Sequence, residues 1–224
     1  KNSLGEDRTE ELVKKYFNKT LAAVQEFVKI SGTEIDPSRI AVDREFFEKF
    51  IHNNSLTDKE KEKGLLIALS RFVRTEKSSA VYDSVADKVN KIIEAWRKKL
   101  KRDEELYEEA KRIWEEIYEK KREQQELGFG ELEFALFNVF MQYGASKENA
   151  AKLTKELVKR IEHELSVPEW FEKPAIVDEI EKKVAFFILI EGRKASLSLE
   201  KKNELISTIL EKVKYYGSRV PTQN

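Results

Sequence analysis

The chain has 224 residues, of which 40% are hydrophobic and 38% are charged, so it is long enough to bury a core in one large domain or two small ones. Its 42 lysines and arginines balance its 42 aspartates and glutamates, which argues against a dedicated nucleic-acid binder but leaves room for a local basic stripe. The lack of cysteine excludes disulfides and thiolate chemistry, and no apolar run reaches the roughly 20 residues that cross a membrane.

Helix-forming residues dominate the first part of the chain, and there are only 8 glycines and 4 prolines in the whole sequence. Apolar spacing predicts a first helix from Asp7 or Thr9 to about Ile30, followed by a linker that contains Pro37. A short helix in "REFFEKFIHN" and a third helix through Leu65 to Val73 come next. Residues 1–78 are therefore predicted to form an N-terminal helical segment that ends at the break "TEKSS".

The next segment, 79–127, has no glycine or proline between Ala80 and Glu126. Apolar residues recur there at intervals of three and four, which predicts either one very long helix or two helices joined by a kink near residues 101–103. Trp96 and Trp114 fall on the apolar stripe and are expected in the core. Acidic and basic residues four apart indicate that the opposite face is solvated and ion-paired.

Residues 128–220 are predicted to form a C-terminal helical bundle, and 218–224 a flexible tail. The helix after Gly128, "ELEFALFNVFMQY", is apolar on nearly every side, so neighbouring helices must surround it. A helix capped by Ser146 is predicted to reach Leu165, and an extended connector, "SVPEWFEKP", follows it. The next predicted helix covers 176–190, with Pro174 in its first turn and a break at Gly192. The last predicted helix covers 199–216; Ser196 or Ser198 opens it and Gly217 stops it. No strand pattern occurs, so the predicted fold is all-α, an irregular array of about seven to nine helices.

The sequence offers no reaction centre. The residues three positions before His52 and His163 are Lys49 and Arg160, so the Glu-x-x-His pair of a carboxylate-bridged metal site is missing, and both histidines are expected at helix ends or on the surface. Gly128 lacks the strand and lysine of a phosphate-binding loop. No catalytic, cofactor-binding or metal-binding residue is predicted.

Two pairs of adjacent aromatic residues are the only candidate contact residues. Trp170 and Phe171 lie in the connector between two prolines, and Tyr215 and Tyr216 end the last helix. Each pair can anchor its segment to the core. Alternatively, it can contact a partner protein, because aromatic residues in surface loops are favoured interface hot spots.

Four stretches in a fixed order carry a family resemblance over about the last 115 residues: "YEEAKRIWEEIYEKKREQQELGFGELEFALFNVF", "AAKLTKELVKRIEHEL", "SVPEWFEKPAIVDEIEKKV" and "LEKVKYYGSRVP". This order resembles the C-terminal helical region of the motor (R) subunit of type I restriction-modification enzymes. That region has a charged helix, a glycine break, an acidic-then-aromatic helix, a connector with a tryptophan, and a final helix that closes with "YG" and a proline.

The resemblance implies a parent subunit with a nuclease domain and two motor domains that use ATP and Mg²⁺ to translocate and cut DNA. None of the motifs of those domains occurs here, so the implied role is docking the parent subunit onto the methyltransferase (M) subunit in the cytoplasm. DNA contact would be indirect or weak, and no cofactor is implied for this chain. Because the chain begins at Lys1 and its only methionine is Met141, it is expected either to be a piece of a longer protein or to have had a tag removed. An unrelated helical adaptor or coiled-coil scaffold is the alternative, and a ligand-binding or metal-carboxylate enzyme is disfavoured.

Overall fold

A computed structural model describes residues 78–193 and 199–218, residues 195 and 197, and scattered positions between 47 and 76. The predicted all-α class is confirmed, since no strand occurs anywhere in these described ranges. The α-helices are α1 (Ala80–Arg97), α2 (Asp103–Leu127), α3 (Glu131–Gln142), α4 (Lys147–Leu165), α5 (Pro174–Phe187) and α6 (Lys202–Gly217); Trp170–Glu172 and Leu199–Lys201 form 3-10 turns, and Ile188–Gly192 forms a π-helical turn.

Several predictions fall on residues outside these ranges. They are the first helix up to residue 30, the linker around Pro37, the caps at Ser196 and Ser198, and the tail beyond Ser218. Phe47 and Ile51 of the predicted short helix are helical and buried, as are Leu65 and Leu69 of the third.

The chain divides into two compact units, of which the first contains Lys1–Ser78 and Val85–Glu119. Its centre is Trp114, which is 2% exposed and stacks on Tyr118 with ring centroids 5.7 Å apart. Phe72 meets the indole edge-on at 5.8 Å, and the indole N–H donates to the carbonyl of Leu65 at 3.3 Å. Trp114 is therefore core, as predicted, whereas Trp96 is only half-buried because it lies at the side of the apolar stripe of α1.

The long charged segment is two helices, which selects the kinked alternative. Lys99 adopts a left-handed conformation with φ of 50°, and the backbone N–H of Leu100 returns to the carbonyl of Ala95 at 2.9 Å. This pattern closes a helix and usually employs glycine, since a side chain in that conformation costs about 1–2 kcal/mol. The break covers residues 98–102, so it overlaps the kink predicted near residues 101–103. The left-handed residue at Lys99 was not predicted, because nothing in the local residue types marks it as the stop.

The second unit contains Ser79–Ser84 and Lys120–Asn224, and α3 is its centre. Seven of the twelve α3 residues are buried, and the helix packs against both α4 and α6. Gly128 ends α2 with φ of 65°, and the Glu133 side chain accepts from the backbone N–H of Gly130 at 2.6 Å to cap α3. Gly128 thus ends α2 and Gly130 precedes α3. The chain turns between them, so α3 can pack against α4 and α6.

The remaining helix ends follow the sequence in part. Ser146 caps α4 by accepting from the N–H of Asn149 at 3.3 Å, and Pro174 occupies the first turn of α5, as predicted. Gly192 does not break α5, because the helix passes into the π-helical turn at Ile188 and Gly192 is buried inside that turn. The last helix begins at Lys202, and Gly217 is its final residue, with Ser218 as the C-cap.

Candidate docking surface

The connector between α4 and α5 is a compact turn, where the sequence predicted an extended segment. Glu169 is left-handed with φ of 55°, and the N–H groups of Trp170 and Lys173 close successive turns on the carbonyls of Val167 and Trp170 at 3.1 and 3.0 Å. Trp170 turns inward and is 4% exposed, while Phe171 is half-buried. Their rings meet edge-on at 5.9 Å with an interplanar angle of 86°. Adjacent residues in the turn therefore point in different directions.

Trp170 packs against the end of α6 at a glycine. A Cβ atom on Gly217 would lie 3.3 Å from Trp170 Cζ2 and 3.1 Å from Leu165 Cδ2, closer than ordinary van der Waals contact. Glycine at this position therefore allows the indole to approach the helix backbone. The indole Nε1 is buried and has no hydrogen-bond partner among the described residues.

The second aromatic pair divides in the same manner. Tyr216 is 3% exposed, Tyr215 is 41% exposed, and their rings meet edge-on at 4.8 Å. Gly217 directly follows Tyr216 and contacts Trp170, so this contact joins the two chain segments that carry the aromatic pairs. We call the five residues Trp170, Phe171, Tyr215, Tyr216 and Gly217 the aromatic junction. Burial of Trp170 and Tyr216 favours the anchoring alternative for those two, and a role for the four aromatics in partner contact stays a prediction.

The end of α5 and the π-helical turn expose an apolar surface that the sequence prediction missed. Phe186, Leu189 and Ile190 are 58%, 46% and 37% exposed, whereas Phe187 and Ile188 are fully buried. The three exposed residues follow the spacing i, i+3, i+4, so they share one side of the helix. We call them the π-turn patch. A signal was present, because "VAFFILI" has seven consecutive apolar residues and a single core-facing stripe cannot bury them all.

Charged residues fasten the buried side of α5 to α4. Lys183 Nζ lies 2.7 and 2.8 Å from the two carboxylate oxygens of Glu164 and 3.2 Å from the carbonyl of Arg160. Burial disfavours the charged form of Glu164, but the bonds from Lys183 prevail and hold the pKa of this carboxyl below its usual range. The Arg160 guanidinium lies 5.2 Å from the centre of the Phe187 ring and 3.9 Å from the Glu191 carboxylate. The helix that carries the π-turn patch is therefore held in a fixed orientation on α4.

His163 is exposed at the end of α4 and His52 is exposed beside Glu48, so both lie on the surface, as expected. Among the described residues, no three histidine or acidic side chains come together in a way that could hold a metal ion. No helix in the described part of the chain is both long and apolar enough to cross a membrane.

Comparison with known proteins finds a distant similarity over about half of the chain. Neither a protein-family profile nor a solved structure matches it. Over 126 residues, or 54% of its length, the chain is 25% identical to a Methanocaldococcus jannaschii protein named "Putative type I restriction enzyme MjaIXP endonuclease subunit". The chain covers 12% of the length of that relative. The finding is thus a distant similarity to a protein named as a restriction endonuclease subunit.

Proposed function

We propose that this chain is a non-catalytic C-terminal helical domain of the R subunit of a type I restriction enzyme, and that it docks that subunit onto the methyltransferase core in the cytoplasm. The observation that carries the proposal is the similarity over 126 residues to a protein named as the endonuclease subunit of such an enzyme. The ordered motifs of the last half of the chain support the same assignment. Catalysis, with its ATP and Mg²⁺, would belong to other parts of the parent subunit, and any DNA contact of this domain would be secondary to docking.

The π-turn patch is the surface best suited to this docking. Phe186 and Leu189 are large apolar side chains, each roughly half exposed, on a helix that Lys183 and Arg160 hold rigidly. A rigid apolar surface loses little conformational entropy on binding, so more of the burial energy appears as affinity. The less buried members of the aromatic junction, half-buried Phe171 and exposed Tyr215, are the second candidate contact.

A binding measurement with a matched control tests the docking role. The parent subunit is titrated with its methyltransferase subunit, and the double variant Phe186→Ser, Leu189→Ser is compared with Glu181→Ser, Lys182→Ser, which changes two exposed residues of the same helix. We expect the patch variant to lose about 2 kcal/mol of binding free energy or more, roughly thirtyfold in affinity, and the control to lose little. Both variants should unfold close to wild type, because the changed side chains are exposed.

Two outcomes would count against the proposal. Equal affinities for the patch variant and the control would remove the patch as the docking surface. No binding to the methyltransferase by the parent subunit, together with tight self-association of the chain, would favour the helical scaffold instead. The non-catalytic role has its own test: the purified chain, supplied with ATP, Mg²⁺ and unmethylated plasmid, should neither hydrolyse ATP nor cut DNA. Activity that follows the chain through purification would contradict it.

A further inference from the structure

The outer side of α5 carries charges of opposite sign before and after the π-turn patch. Asp178 and Glu179 are exposed and precede Phe186 by about two helical turns, so they lie on the same side of the helix as the patch. We call these two residues the acidic pair. Arg193 is exposed too, and it follows Leu189 by about one turn. The patch therefore has two acidic side chains before it and one basic side chain after it.

These outer charges are not neutralised within the part of the chain that the structure describes. The described residues place no basic group within ion-pair distance of the acidic pair, and no acidic group within that distance of Arg193. On the inner side of the same helix, by contrast, Lys183 is paired with Glu164 at 2.7 Å. The charges on the outer side of α5 are therefore available to a partner.

The order of these groups makes the outer side of α5 complementary to itself. Phe186 lies midway between the acidic pair and Arg193, about 10 Å along the helix axis from each. When two copies of α5 pack antiparallel about a two-fold axis at Phe186, the acidic pair of each copy lies opposite Arg193 of the other. The apolar side chains of the two patches then meet at the centre. A parallel arrangement would instead place acidic groups on acidic groups, which is electrostatically unfavourable.

We propose that a second copy of this chain covers the π-turn patch through an antiparallel contact between the two α5 helices. Lys182, one turn before Phe186, lies opposite Ile190 of the second copy, so its aliphatic stem packs there while its ammonium group stays in solvent. One helix face buries less than the standard interface of about 1,600 Å², so the dimer is weak, with a dissociation constant of about 10–100 µM.

Self-pairing and the proposed docking use the same patch. The contact with a second copy must therefore open before the methyltransferase subunit binds. That consequence rests on the proposed function, whereas the self-pairing rests only on the outer side of α5.

Sedimentation velocity of the full chain between about 5 and 500 µM tests the contact, and the wild type should pass from monomer to dimer over this range. The basic variant Asp178→Arg, Glu179→Arg and the acidic variant Arg193→Glu should each self-associate at least tenfold more weakly, because like charges then face each other. A mixture of these two variants should form a heterodimer, because every charge on one copy then meets its opposite on the other. Only the antiparallel arrangement predicts this rescue.

A charge-matched control separates the contact from net charge. The variant Glu108→Arg, Glu162→Arg makes the same charge change as the basic variant at exposed residues outside α5, and it should dimerise within about twofold of wild type. Circular dichroism should show every variant folded, since all the changed side chains are exposed.

Three results would overturn the proposal: a wild-type chain that stays monomeric at the highest concentration, charge variants that dimerise as tightly as the control, or a mixture that fails to associate. None of these measurements involves the methyltransferase subunit. A failure of the proposed docking would therefore leave them unchanged, and the two ideas can fail separately.

Discussion

Replacing Trp170 with alanine tests whether the aromatic junction anchors the fold. The side chain is 4% exposed, and truncating a buried tryptophan to alanine usually costs about 3–5 kcal/mol. Among the described residues its buried Nε1 has no hydrogen-bond partner, an arrangement that costs about 1 kcal/mol or more in the native state and that the substitution removes. We therefore expect Trp170→Ala to lower the free energy of unfolding by about 2–4 kcal/mol.

Urea unfolding of the chain measures this loss, with Glu172→Ala, an exposed neighbour in the same turn, as the control. A second substitution isolates the contact with α6. Gly217→Ala should destabilise the wild type by about 1 kcal/mol, because the new methyl group would lie 3.1 Å from Leu165 Cδ2 and 3.3 Å from the indole. In the Trp170→Ala background the same methyl group still lies 3.1 Å from Leu165 Cδ2 but no longer meets the indole, so its cost should be smaller, with a coupling of about 0.5 kcal/mol or more between the two substitutions.

Two results would refute this reasoning. If Trp170→Ala shifted the unfolding midpoint no more than Glu172→Ala, the indole would not be an anchor. If Trp170→Ala left stability unchanged but weakened methyltransferase binding thirtyfold, the partner-contact alternative would replace the anchoring one. Additive effects of the Trp170 and Gly217 substitutions would mean that the close approach between them carries no energy.

Three further predictions concern stability. Phe137→Ala, at a fully buried position of α3, should cost about 3–5 kcal/mol, whereas Met141→Ala, at a position 38% exposed on the same helix, should cost far less. Lys99→Gly should raise the free energy of unfolding by about 1 kcal/mol by relieving the left-handed conformation, as a urea titration would show. Lys183→Met should lower it by roughly 1–2 kcal/mol at pH 7, since solvent partly screens the pair with Glu164.

The sign of the pH dependence follows from the lowered pKa of Glu164 in the folded state. A depressed pKa contributes stability above the unfolded value, near 4.5, and this contribution is lost as the pH falls through the folded value. The difference between wild type and Lys183→Met should therefore shrink as the pH is lowered below about 4. A difference that is constant from pH 7 to pH 3 would show that Lys183 acts through packing alone. The prediction for Phe137 would be contradicted if Phe137→Ala lowered the free energy of unfolding no more than Met141→Ala. The prediction for Lys99 would be contradicted if Lys99→Gly lowered the free energy of unfolding.

Strong local signals carried most of the helix prediction. Gly128 and Gly144 need positive φ values, Ser146 supplies a cap, and Pro174 suits a first turn, so each boundary follows from the conformational preference of one residue. The surrounded position of α3 followed from its nearly continuous apolar surface. These features are local, so the sequence alone could reveal them.

Features decided by tertiary contact escaped prediction. Lysine and glutamate do not favour the left-handed conformation, so nothing marks Lys99 or Glu169 as left-handed residues. The compact connector depends on the packing of Trp170 against Gly217. The aromatic pairs were found, but which member of each would be exposed depends on the packing of α6. The π-turn patch was missed because a run of apolar residues suggests burial. Which of these residues are exposed depends on the orientation of the helix, and the sequence does not show that orientation.

The composition of the second unit affects where the chain can be cut. Its Glu131 side chain accepts from the backbone N–H of Ala80 at 2.5 Å, and Lys212 lies 2.8 Å from the Asp83 carboxylate, so the first turn of α1 completes a unit whose other residues begin at Lys120. A fragment that starts at Gly128 would leave both Glu131 and Lys212 without these partners. A minimal C-terminal fragment for crystallisation or binding work should therefore begin no later than Ser78. It should extend past Gly217, because Trp170 of the connector packs against this residue.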